Sequence, residues 1–171
     1  MIAARLGGAL AAAILLVQPA GVRAGAARDV LALPVRHGTD AAVPLGNLLG
    51  GTPALVAFWT TYCPPCRAEV PALRRAASRW RAHGVRVVGI ALDVRDAAEL
   101  TRVAREWEID YETYWVPPEA HAAAAALAPE GLPVAFFVGR ADVVRHDRLL
   151  DDTAIDTLLP RYLDVPPAAG R

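Results

Sequence analysis

The sequence contains no lysine, so all 18 of its basic residues are arginine. This absence excludes catalysis through a lysine Schiff base. The sequence also lacks an excess of charge of either sign, because its 18 acidic residues bring the formal net charge to zero. The composition therefore gives no electrostatic reason to expect nucleic acid or an anionic membrane surface as a partner.

Cysteine is scarce: the only two are Cys63 and Cys66, with two prolines between them. A zinc site usually draws four ligands from two such pairs, and a c-type haem needs a histidine after the second cysteine, where this chain has Arg67. A Cys2His2 zinc site stays open as an alternative, but no spacing recommends the histidines. A purely structural disulfide also stays open, although so small a ring removes little chain entropy. The spacing favours a redox pair.

Long apolar runs are absent too. The longest lies near the N-terminus, at residues 6–17, and its roughly twelve residues fall short of the roughly 20 that span a bilayer. A preceding arginine and a small-residue pattern ending at Ala24 predict a cleaved secretory signal peptide over residues 1–24, with an uncleaved N-terminal anchor as the alternative. Export would place the cysteines where disulfides persist.

The remainder is long enough for one domain, predicted over residues 25–164, followed by a flexible tail at 165–171. Apolar runs predict strands and three- to four-residue periodicity predicts helices. Early alternation favours parallel strands, and a closing hairpin favours an antiparallel edge. The sequence thus predicts an α/β fold with a mixed sheet. The predicted strands are 30–35, 54–59, 85–92, 111–116, 133–138 and 142–145; the predicted helices are 45–49, 64–83, 118–128, one capped by Asp96 and one capped at 151–153.

The cysteine pair falls at the junction of the predicted strand 54–59 and the helix that follows. A thiol at a helix N-terminus lies against the positive end of the helix dipole, which favours the nucleophilic thiolate. In the usual geometry of such sites, Cys63 attacks a disulfide and Cys66 resolves the mixed disulfide. The pair itself is then the redox centre, and no further cofactor or metal is expected.

The segment 58–73, FWTTYCPPCRAEVPAL, resembles the active-site segment of the TlpA-like family of exported thioredoxins, which includes membrane-tethered reductants of cytochrome c maturation. The resemblance covers roughly residues 45–163. It implies a thioredoxin-like mixed sheet with helices on both faces. By the same resemblance, Pro133 forms a cis peptide bond facing the cysteines, and Leu132 pairs its backbone with a bound peptide. Pro133 as an ordinary first residue of a strand stays open.

The resemblance also implies a carboxylate near the active site, Glu69, that tunes or relays the proton of the resolving cysteine. An ordinary solvated glutamate in the first helical turn is the alternative. Trp59 would form a wall of the redox site, and Tyr62 stands where the family usually has tryptophan. Two further departures are Ala57, where cytosolic thioredoxins have aspartate, and Val134, where threonine is common.

These features predict an exported thiol-disulfide oxidoreductase that reduces disulfides or cysteine pairs in client proteins and is itself reduced by an upstream membrane dithiol protein. Pro64 and Pro65 remove two N–H groups from the helix start, which favours a reductant. Two alternatives stay open. A thiol peroxidase would use Thr60 before Cys63, although Val56 stands where its usual proline belongs. A copper-binding chaperone or copper-site thiol reductant would exploit the affinity of thiolates for Cu(I).

Overall fold

The computed structural model describes residues 27–165, so the predicted signal segment and residues 166–171 lie outside the described part. Most of the predicted elements are found within one or two residues of their expected bounds. The strands are β1 (Pro34–Val35), β2 (Val43–Pro44), β3 (Ala54–Trp59), β4 (Arg86–Ala91), β5 (Glu112–Trp115), β6 (Val134–Val138) and β7 (Val143–His146). The helices are α1 (Leu45–Leu49), α2 (Pro64–Trp80), α3 (Ala97–Glu106), α4 (His121–Leu127) and α5 (Asp152–Leu163).

The main sheet has five strands in the order β5-β4-β3-β6-β7. Strand β4 runs parallel to both β3 and β5, whereas β6 is antiparallel to β3 and to β7. The prediction of a mixed sheet with an antiparallel end is therefore confirmed. All six residues of β3 are buried, as expected for a central strand covered by helices on both faces.

The lead-in segment differs from the prediction of one strand over residues 30–35. It forms a 3-10 turn at Asp29–Ala32 followed by the two-residue strand β1, which pairs with β2 in a small separate sheet. The reason is the three-residue spacing of Val30 and Leu33, which are both buried. A helical turn brings residues at that spacing to one side, whereas an extended strand places them on opposite sides.

The helix ends follow the local sequence. Helix α2 begins at Pro64, since proline is tolerated in a first turn, and ends at Trp80. A 3-10 turn at Arg81–His83 follows, and the chain leaves it through Gly84 at a φ of +71°. The predicted cap of α3 is confirmed, since the Glu99 N–H donates to Asp96 Oδ1 at 2.8 Å. Asp151 caps α5 in the same way, accepting from the Ala154 N–H at 2.7 Å.

The hydrophobic core divides into two clusters, one on each face of the main sheet. Alternate residues of β3 belong to different clusters: Leu55, Ala57 and Trp59 to one, and Ala54, Val56 and Phe58 to the other. The first cluster includes both cysteines and all four tryptophans. Trp115 is buried as well.

Candidate active site

The redox pair lies where β3 passes into α2. After Trp59 the chain makes a short turn, in which the Cys63 N–H donates to the Thr60 carbonyl at 3.2 Å. Cys63 is the N-cap residue of α2, and Pro64 and Pro65 occupy its first two positions. Cys63 and Cys66 form a disulfide with 5.3 Å between their Cα atoms. Two sulfurs separated by one helical turn are thus within bonding reach, as the spacing predicts.

The N-terminus of α2 contributes one direct contact to the sulfur of Cys63. The Cys66 N–H donates to Cys63 Sγ at 3.2 Å. Pro64 and Pro65 have no N–H to offer. A Cys63 thiolate would therefore be stabilised at the start of α2 by one N–H donor, that of Cys66, and by the dipole of the helix.

The two cysteines differ in their access to solvent. Cys63 keeps 7% of its surface exposed and Cys66 3%. Around them, Tyr62 is 77% exposed, and Pro64 and Pro65 are also exposed. Both cysteines are therefore buried in the disulfide form, and Cys63 has only slightly greater access to solvent than Cys66. The exposed side chains beside Cys63 are those that a partner can contact.

The loop before β6 faces the same edge of the sheet. The peptide bond between Leu132 and Pro133 is cis. Val134, the first residue of β6, pairs with Phe58 near the end of β3. Because β6 runs antiparallel to β3, Pro133 lies at the edge where Cys63 begins α2. The structure therefore has the cis bond that the family resemblance implies.

Glu69 is buried rather than solvated, with only 3% of its surface exposed. It lies in the second turn of α2, and its Oε1 accepts the Leu150 N–H at 2.6 Å. Burial raises the pKa of Glu69 to about 7, although the Leu150 hydrogen bond opposes the shift. Burial also raises the pKa of Tyr111, and the nearby charge of Glu69 adds to the effect. A carboxyl group that titrates near neutrality therefore lies one helical turn beyond Cys66.

Trp59 is buried in the same core cluster as the cysteine pair. Its ring centroid lies 5.2 Å from that of Trp107, and the guanidinium of Arg67 lies 5.8 Å from the centroid of Trp107. The indole N–H of Trp59 is buried without a hydrogen-bond partner among the described residues. Gly89 in β4 leaves room for it, because a Cβ there would come within 3.0 Å of the indole nitrogen.

Two features of this edge were missed in the sequence. Asp93 follows β4, and its carboxylate accepts hydrogen bonds from both the backbone and the hydroxyl of Thr61. Leu149 lies in the loop after β7, beside the residue that bonds Glu69, and is 50% exposed. Asp93 could have been found from its place after a strand parallel to β3, because the carboxyl ends of parallel strands share one edge. Leu149 carried no such signal.

The fold and the disulfide at the start of α2 define a thioredoxin-fold protein with a redox-type cysteine pair. A family model described as the AhpC/TSA family matches residues 27–147. The chain therefore belongs to the AhpC/TSA family.

Individual proteins give the same picture. The chain is 32% identical over 104 residues to the thiol:disulfide interchange protein DsbE of Allochromatium vinosum, covering 60% of this chain and 54% of that protein. It is 29% identical over 92 residues to the thiol-disulfide oxidoreductase ResA of Oceanobacillus iheyensis, covering 53% of this chain and 45% of that one. The chain thus spans about half the length of these curated relatives.

Solved structures support the fold. The crystal structure of a secreted Mycobacterium tuberculosis disulfide oxidoreductase, homologous to E. coli DsbE, matches with a TM-score of 0.57 and 24% sequence identity. The match covers 78% of this chain and 96% of that chain. The predicted thioredoxin-like fold and the resemblance to exported thioredoxins are confirmed.

Proposed function

We propose that this chain is a thiol-disulfide oxidoreductase that reduces disulfides in client proteins. The observation that carries the proposal is the Cys63–Cys66 disulfide at the first turn of α2. The names of the curated relatives, a DsbE and a ResA, support the same activity. Cys63 and Cys66 are the only electron carriers in the proposed cycle.

The cycle begins with both cysteines reduced. The Cys63 thiolate attacks one sulfur of a client disulfide, which forms the mixed disulfide and releases the other client sulfur as a thiolate that takes up a proton. Cys66 then loses its proton and attacks the Cys63 sulfur. The Cys63–Cys66 bond forms, and the second client sulfur leaves and is protonated. Two electrons and two protons have passed to the client, and an upstream dithiol protein restores them.

Glu69 is the acceptor we propose for the proton of Cys66. A base works best when its pKa lies near the working pH, and burial raises the pKa of Glu69 to about 7. The bond from the Leu150 N–H fixes one carboxylate oxygen and leaves the other to exchange a proton. In this proposal Glu69 takes the role of the strand aspartate that cytosolic thioredoxins have at the position of Ala57.

The client lies across the exposed apolar edge of the site. Tyr62 and Leu149 are the two large apolar side chains that are exposed among residues 27–165. Tyr62 follows β3 and Leu149 follows β7, whose His146 pairs with Ala135 next to the start of β6. In this proposal the backbone at Leu132 and Pro133, lying between them, pairs with an extended segment around the client cysteine.

The proposed setting is extracytoplasmic, with clients that include cysteine pairs awaiting haem or copper and an upstream reductant presented at the membrane. The support comes from residues 1–24, which match a secretory signal, and from the secreted relative in Mycobacterium tuberculosis. Among the described residues, no helix is both long and apolar enough to cross a membrane.

A peroxidase function is less well supported by the site. A peroxidatic threonine would have to contact the attacking sulfur, but Thr60 Oγ1 is buried with no hydrogen-bond partner among the residues that the structure describes, and Cys63 Sγ accepts from the Cys66 N–H instead. We expect slow peroxide consumption at most. Metal analysis of the reduced protein separates the oxidoreductase from a copper-binding chaperone.

The direct experiment is a trap. Cys66→Ser leaves the attacking thiol but removes its resolver, so the mixed disulfide accumulates and its client can be identified by mass spectrometry. Cys63→Ser, which removes the attacker, is the matched control and should trap nothing. The proposal is overturned if the wild-type dithiol fails to reduce a protein disulfide such as that of insulin. A reduction potential as high as about −120 mV, typical of a strong oxidant, would overturn its direction.

A further inference from the structure

Among residues 27–165, Asp93 is the one side chain outside the turn between β3 and α2 that hydrogen-bonds to it. The Thr61 N–H donates to both carboxylate oxygens at 3.0 Å. The Thr61 hydroxyl donates to Asp93 Oδ2 at 2.6 Å, a length typical of strong bonds to an ionised acceptor. Both donors belong to the residue two positions before the attacking cysteine.

The sheet brings these residues together. Strands β3 and β4 are parallel, with Trp59 opposite Ala91, and the Leu92 N–H donates to the Trp59 carbonyl at 2.9 Å. The hydrogen-bond ladder between β3 and β4 therefore continues one residue past both strands, and Asp93 lies beside Thr61 as a result. Asp93 ties the β4 edge of the sheet to the turn that carries Cys63.

The same contact brings a negative charge close to Cys63. Thr61 lies two positions before Cys63, with only Tyr62 between them, which places the carboxylate within roughly 10 Å of the sulfur-bearing residue. At that distance a partly buried charge is only partly screened at physiological salt. It opposes a Cys63 thiolate, whereas the Cys66 N–H and the α2 dipole favour one.

Two other charged residues, Arg67 and Glu69, lie in the first two turns of α2. Arg67 forms an ion pair with Glu106, with 3.7 Å between Arg67 Nη1 and Glu106 Oε1, so their charges offset each other. Glu69 is buried one helical turn beyond Cys66, where it accepts the Leu150 N–H. Asp93 instead accepts hydrogen bonds at both oxygens from uncharged donors of Thr61. In the part of the chain that the structure describes, no cation forms an ion pair with Asp93.

We propose that Asp93 is a positioning residue for the redox pair: it fixes the turn that presents Cys63, and its charge holds the pair on the reducing side. The proposal rests on the proposed oxidoreductase function. It makes two separable statements, one about geometry and one about charge. Neither test requires the client protein to be known.

The charge is tested with Asp93→Asn, whose amide oxygen still accepts one hydrogen bond from Thr61. We expect iodoacetamide to alkylate Cys63 about threefold faster below its pKa. Above that pKa, where the reduced protein carries the thiolate, the equilibrium in which two glutathiones reduce the Cys63–Cys66 disulfide and become glutathione disulfide should shift about threefold towards the dithiol. Both effects should shrink in 1 M salt. The matched control is Asp164→Asn at the far end of the sheet, where asparagine tolerates the φ of +51°.

The geometry is tested with Thr61→Ala, which removes the hydroxyl bond but leaves the charge. Hydrogen exchange at the amides of Tyr62 and Cys63 should become faster in Thr61→Ala and return to the wild-type rate in Thr61→Ser.

The charge role is overturned if Asp93→Asn matches Asp164→Asn in both redox readouts. The positioning role is overturned if Thr61→Ala exchanges like the wild type. If Asp93→Asn fails to fold, the threonine variants still decide the positioning role. Should the wild type reduce no protein disulfide, the function proposal fails while these readouts still report on Asp93.

Discussion

The two faces of the main sheet are built from different materials. The face under α4 and the lead-in segment is lined by aliphatic residues and by the paired rings of Phe58 and Phe136, whose centroids lie 5.1 Å apart. The face under α2, α3 and α5 holds both cysteines and all four tryptophans. It also holds Glu69, the one charged residue that is buried among residues 27–165.

The first face therefore contributes mainly to stability, whereas the second face carries the groups of the proposed redox chemistry. A purely apolar face gains free energy from burial and leaves no polar group unsatisfied. The redox face carries costs, including a buried carboxyl group and the unpartnered indole N–H of Trp59. Such costs are common where a protein performs a function. Changes to the first face should therefore lower stability alone, whereas changes to the second should also alter redox behaviour.

The largest expected effect is on the apolar face. Phe136 is fully buried against Phe58, so Phe136→Ala should lower the free energy of unfolding by about 3–5 kcal/mol. The loss applies equally to the oxidised and reduced protein, so the glutathione equilibrium should not change. Urea unfolding measures the first quantity and thiol quantification the second. A shift of more than about twofold in the redox equilibrium would show that the faces are not independent.

The next effect depends on pH and belongs to Glu69. Its pKa is about 7 in the folded protein against 4.5 for an ordinary glutamate, so the folded state binds the proton more tightly than the unfolded state does. Stability should therefore fall as pH rises from 4.5 to about 7 and level off above. The loss attributable to this group is about 3 kcal/mol.

Glu69→Gln is the matched variant, since its amide oxygen can still accept the Leu150 N–H. Urea unfolding of both proteins at pH 4.5 and pH 8 isolates the contribution of Glu69. The wild type should lose about 3 kcal/mol more than the variant between these pH values. Equal losses in the two proteins would contradict a neutral buried carboxyl group.

The sequence predicted the elements of the redox face better than their contacts. Local signals were sufficient for α2, because Pro64 at its start and the spacing of Val70 and Leu73 all favour one helix. The bond from Leu150 to Glu69 joins residues 81 positions apart, and the bonds from Thr61 to Asp93 join residues 32 apart. Such contacts depend on strand order and register, which periodicity does not specify.

The lead-in failed for the opposite reason. Its apolar residues predict a strand over residues 30–35, but a segment this short fits more than one periodicity, and the burial of both Val30 and Leu33 in the core selects the helical turn. The cis bond at Pro133 could be expected only from the family resemblance, because sequence pattern alone does not specify the isomer. Prediction was therefore strongest where structure is local and weakest where distant parts of the chain meet.

A smaller effect is expected from Gly89, on the redox face of β4. A Cβ at this position would lie 3.0 Å from the Trp59 indole nitrogen and 3.2 Å from Tyr111 Cε2. Gly89→Ala should therefore lower the free energy of unfolding by about 1–3 kcal/mol. It should also shift the tryptophan emission of the protein, because Trp59 has to move. An unchanged spectrum together with unchanged stability would show that this wall of the site is loosely packed.

The smallest effect sharpens the chemistry of the redox face. Pro65→Ala restores an N–H at the second position of α2, next to the one donor that now reaches Cys63 Sγ. A second donor stabilises the Cys63 thiolate and hence the reduced protein. The reduction potential should rise by about 20 mV, which corresponds to about fivefold in the glutathione equilibrium. Pro71→Ala is the matched control, because Pro71 lies inside α2 and its restored N–H points along the helix towards a carbonyl. If Pro65→Ala and Pro71→Ala have the same potential, the prolines do not set the reducing character of the pair.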